Sequence, residues 1–288
     1  MTTGQKWLTG CGIGCGVLLL AGIGACVVGG LFMKHTFRGI ETAAESHDAR
    51  VGELGPVDDY VPAADGVLAS PRVELFVQVR EATEGARREV EMAVDRLPTP
   101  EFSEERAVIG RIRVGLDVLG DLIDAIGTYV EARNHALIDR GMGLGEYVYL
   151  YTLTYHSWLG HSPGEAPEVR EGPDGVRVGV FDDNDALFSE EAVRRRYRRY
   201  VLGMARAQIG STAPEAEAGE GEAGRARLQR EIQRLEMDPG HVLWQDGLPE
   251  EMEVALEPFR PRLEATWSAS TNRVELPLAE HETPWEWR

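Results

Sequence analysis

Beyond residue 38 this chain has neither cysteine nor lysine. Its three cysteines, Cys11, Cys15 and Cys26, all lie near the N-terminus, so the remainder holds no disulfide and no thiolate zinc site. Both lysines, Lys6 and Lys34, flank one apolar run, and every other basic residue is arginine. Positive charge is also scarce. With Lys6, Lys34 and Arg38 set aside, 27 basic residues face 48 acidic ones, a net charge near −21. Such a surface repels nucleic acid and anionic lipid, which argues against a nucleic-acid partner. A glycine-rich phosphate loop, a nucleophile elbow and a His-Glu-x-x-His run are all missing, so no cofactor is expected from motifs.

What is present begins with Trp7 to Met33, 27 positions without a charged side chain. As a helix this run reaches roughly 40 Å, more than the ~30 Å of a hydrocarbon core. A cleaved signal has a shorter apolar core. A lipoprotein signal ending at Cys26 after Ile23-Gly24-Ala25 is the other alternative, although Val27 to Met33 continues the apolar run. The full run favours an uncleaved single-pass anchor over 1–38, embedded in lipid through 7–33. Gly12 with Gly16, and Ala21 with Ala25, stand four apart and offer a face for homodimerisation in the bilayer. The very short tail before the run places the body outside the cytoplasm.

The body reads as mainly α: a helical bundle with a small β-hairpin. Residues 39–69, with Gly52, Gly55, Pro56 and Pro62, read as a juxtamembrane stalk draped on the domain. A helical domain spans 70–210. Ser70-Pro71 opens a first helix running to Leu97, with Ser70 as N-cap. A second, from Ser103 to Arg140, carries an apolar residue every three or four positions and stops at Gly141. Leu144 to Gly160 is apolar on both parities and reads as a buried helix. Glu168 to Phe181 carries alternating valines around Gly172-Pro173-Asp174-Gly175, a hairpin signal. Another helix follows from Ser189 to Ile209. The Ala, Glu and Gly tract over 211–224 is a flexible linker. A C-terminal helical extension occupies 225–288, with helices at 225–237 and 249–256. Its remainder reads as irregular, tacked down by tryptophans such as Trp267.

Three clusters carry chemistry. Glu146, Tyr149 and His156 fall on one helical face, with His161 following, a carboxylate and imidazoles that would suit a divalent metal or a general base. His156 and His161 stand five apart, the wrong spacing for one face, and core hydrogen bonding is the simpler reading. Arg194, Arg195, Arg196, Arg198 and Arg199 form the dense basic patch, suited to a headgroup or an acidic partner, or to internal pairing with Asp182 to Asp185. Those acids start like a calcium loop, but Leu187 and Val193 stand where its glycine and final glutamate belong. Arg133 and Asn134 are further binding candidates, or simple polar contacts to the following turn. Together these favour a membrane-anchored, non-enzymatic interaction module with a protein partner. The alternative is a metal-dependent enzyme or sensor centred on Glu146 and His156.

Overall fold

The computed structural model describes residues 41–96, 108–166, 189–211 and 220–277. All regular structure there is helical, with no strand among the described residues. The expected anchor, with Gly12, Gly16, Ala21 and Ala25, and the expected hairpin at 168–181 lie outside the described residues. Among the described residues no helix is long and apolar enough to cross a membrane.

Helix α1 occupies 41–54, within the stretch read as a stalk. A short 3-10 turn, Val57–Asp59, follows it and packs on the body. Helix α2 is Ser70–Ala82, with Ala69, not Ser70, as its N-cap and Pro71 in its first turn. The single helix expected to Leu97 is two. Thr83 Oγ1 donates to the Val79 carbonyl at 3.2 Å and the Arg80 carbonyl at 3.0 Å, and the backbone leaves helical geometry there. Helix α3, Glu84–Asp95, restarts beyond it and buries Arg87, Val90 and Ala93.

Helix α4, Val108–Arg140, is about 50 Å long at 1.5 Å per residue. Gly141 ends it with φ +57°, and the Met142 N–H reaches the Leu137 carbonyl at 3.0 Å. This is the left-handed cap that glycine makes cheap. Helix α5, Leu144–Tyr151, runs directly into a π-helical segment, Thr152–Trp158. Every residue of α5 except Glu146 is buried, as are Thr152 to His156, which is why neither parity of this sequence is polar.

The remaining elements are α6 (Glu190–Ser211), α7 (Glu220–Met237), α8 (Glu250–Leu256), a 3-10 turn (Glu257–Phe259), α9 (Arg260–Ala265) and α10 (Ala269–Glu275). The end expected to be irregular is therefore helical as far as Glu275. One main core joins Phe76, Val77, Leu137, Tyr147, Leu153, Val201, Leu228, Leu256, Leu263 and Leu276. Residues from the expected C-terminal extension thus share it with α2, α4 and α5.

Candidate functional site

At the centre of the body one carboxylate is held by four side chains from three helices. Arg80 stands on the buried face of α2, three and four positions beyond Val77 and Phe76. Tyr129 and Arg133 share a face of α4, four residues apart. Tyr147 comes from α5, and Glu275 ends α10. Arg80 Nη1 donates to Glu275 Oε1, to the Tyr147 hydroxyl at 2.8 Å and to the Tyr129 hydroxyl at 3.2 Å. Tyr129 donates to the same Oε1, and Tyr147 donates to Oε2 at 2.9 Å. Arg133 Nη1 lies 3.4 Å from Oε2 and also donates to the carbonyls of Val274 and Glu275 at 3.2 and 3.1 Å. Arg80 further donates to the Thr266 carbonyl at 2.6 Å and lies 5.2 Å from the ring centres of Tyr151 and Tyr155.

Burial alone would raise the pKa of Glu275. Arg80, Arg133 and the hydrogen bond from Tyr129 overcome it and hold the group below the usual carboxylate range. Burial likewise pushes the Tyr129 hydroxyl up to about 12, aided by the Glu275 charge, so it stays a donor. Both Glu275 oxygens already accept two donors. A carboxylate so engaged has no lone pair left for a substrate proton, and this centre acts as a clamp.

The residues expected to form a site do not meet at one point. Glu146 faces a surface cleft of about 150 Å³ bordered by Tyr60, Arg72 and Tyr149. Arg72 grips it with both arms of its guanidinium, Nε to Oε1 at 2.6 Å and Nη2 to Oε2. Tyr149 packs at 5.8 Å from Tyr60. His156 lies in the core, edge-on to Tyr151 and Tyr197, with Nδ1 3.0 Å from the His161 carbonyl. Burial lowers its pKa to about 4, the hydrogen bond to His161 opposing, so it is neutral at pH 7. His161 stacks on Trp267 at 3.9 Å and lies 3.3 Å from Glu165. Among the described residues no three His, Cys, Asp or Glu side chains could hold a metal ion.

Arg133 and Asn134 are corrections as well. They reach across the fold to α10 and α1 instead of the following turn, Asn134 Nδ2 donating to Ser46 Oγ at 3.0 Å. The basic patch is dispersed in the same way. Arg194 and Arg195 pair with Glu190 and Glu191 one turn back, Arg196 is 1% exposed, and Arg198 donates to the Leu235 and Glu236 carbonyls at 2.6 Å each. Arg199 lies over the Tyr200 ring at 4.9 Å. Asp182 to Asp185 lie outside the described residues. The sequence carries one signal for the central clamp: Arg80 falls in the apolar stripe of α2, where a guanidinium needs buried acceptors. Compared with family models, with curated proteins and with solved structures, the chain matches none.

Proposed function

We propose that this protein is a membrane-anchored, non-enzymatic helical interaction module. The observation that carries this reading is the uncharged run Trp7 to Met33, followed after seven residues by α1, which lies on the body. A link that short keeps the body within a few tens of ångströms of the bilayer. The acidic body is repelled by anionic headgroups, so its working surface is offered to a protein partner rather than to lipid. Gly12, Gly16, Ala21 and Ala25 supply a packing face for a second copy in the membrane, and the body belongs outside the cytoplasm.

Two features support a non-catalytic role. The Glu146 carboxylate is occupied by Arg72, and His156 is buried with its Nδ1 on a carbonyl. A metal-dependent alternative would need both to be free and near each other. The test is membrane fractionation of the full-length chain, followed by crosslinking in its native membrane. The chain is expected to stay with membranes through alkaline washing, to leave them only in detergent, and to crosslink to a protein. Recovery in the soluble fraction overturns the reading.

A further inference from the structure

Helix α1 meets the body differently from the other helices. Its buried residues are Ser46 and Arg50, and none of its apolar side chains is fully buried. Leu54, at its end, reaches the core only in part. The bond across to α4 is Asn134 Nδ2 to Ser46 Oγ, at 3.0 Å.

Arg50 is the anomaly. It is 1% exposed, yet among the described residues its hydrogen bonds go only to the Gly55 carbonyl and His47 Nδ1, each at 3.3 Å, and its Nε has no partner there. No carboxylate among the described residues forms an ion pair with it. The contrast with Arg80 is direct, since that guanidinium meets a carboxylate and two hydroxyls. Burial lowers the Arg50 pKa to about 10, the neighbouring Arg133 charge adds to this, and Tyr200 opposes it. A buried cation without a counter-charge is destabilising, even after relaxation.

That penalty disappears when α1 lifts, because Arg50 then meets water while His47 travels with it. The chain is built to allow this. Gly55 has φ +81°, and the following turn is fixed separately: a Cβ on Gly145 of α5 would overlap the Val57 carbonyl oxygen. We infer that α1 is a releasable strap hinged at Gly55, seated by Asn134 and Ser46 and kept close to release by the unpaired buried Arg50. Through it, movement of the anchor is passed to the body. The strap stands on this geometry, and its coupling to a bilayer rests on the anchoring proposed above.

Hydrogen exchange read by mass spectrometry on the full-length chain in detergent micelles tests the strap. Amides of 44–54 are expected to exchange at least tenfold faster than those of α5. Arg50→Met should slow them about tenfold and leave α5 unchanged, while Asn134→Ala should speed them. Exchange of α1 in step with α5 overturns the proposal. So does an Arg50→Met variant with equal or faster exchange in α1, or with lost protection in α5, because Arg50 would then support the fold. Recovery of the full chain without detergent refutes the anchor alone, and the exchange pattern still decides the strap.

Discussion

Glu275 and His156 are buried groups whose ionisation the fold moves away from its ordinary range, and both resist protonation. His156 is held neutral down to about pH 4, whereas in the unfolded chain it takes a proton near 6.5. The unfolded state therefore binds more protons between those values, and stability falls as pH drops through that window, by up to about 3 kcal/mol. Glu275 follows at lower pH, because its carboxyl is held below the unfolded value and its contribution is lost as pH falls through the folded one. Urea unfolding from pH 7 to 4 should show the His156 slope, and His156→Gln should flatten it. A second expectation concerns Glu275→Gln, which leaves Arg80 and Arg133 without a counter-charge. It should cost roughly 3–5 kcal/mol in denaturant titration, while replacing the whole charged group by apolar residues of similar volume should cost far less. These roles were hard to read from sequence. Arg80 and Glu275 lie 195 positions apart, and no local pattern links them. For His156 the sequence favours core hydrogen bonding over a ligand role, but its partner, the His161 carbonyl, is seen only in the fold.

The long helices were legible because their signals are local. The end of α4 at Arg140, with Gly141 after it, follows from cap chemistry, and the buried character of α5 follows from an apolar run without a polar face. The break at Thr83 was not legible, since it depends on which carbonyls one hydroxyl reaches. Helices α9 and α10 were missed for a related reason. They have six and seven residues, and α10 contains Ser, Thr, Asn and Val, which form helices poorly. Such pieces exist because tertiary contacts hold them. Asn272 Nδ2 donates to the carbonyls of Ser162, Pro163 and Glu165, and Tyr151 donates to its side-chain oxygen at 3.0 Å. At this scale Gly145→Ala is the sharp test. The added methyl would lie 2.5 Å from Tyr60 Cβ, so the turn after α1 must move. A loss of about 1–3 kcal/mol is expected, with faster proteolysis near residue 60.

Over the molecule as a whole, α7 to α10 close the same core that α2 and α4 to α6 begin. Leu263 and Leu276 are at most 2% exposed, so removing them uncovers the core. A chain cut after Leu256 is expected to lose its cooperative thermal transition by circular dichroism, and retention of that transition would refute the shared core. The low-complexity tract suggested a seam in the chain, but composition cannot report that residues on either side of it pack together. Glu146 and Tyr149, neighbours on one helical face by their spacing, both border the surface cleft, and Tyr60 and Arg72 join them there from distant sequence.

The position of Glu275 in the chain also sets an order for biosynthesis. The ribosome delivers Arg80, Tyr129, Arg133 and Tyr147 long before it delivers the one carboxylate that satisfies them. Until α10 leaves the exit tunnel, the chain lacks the carboxylate on which its two guanidinium groups close. A product that stops short of this point lacks the group that neutralises Arg80 and Arg133, so the interior is completed only when nearly the whole body has been made.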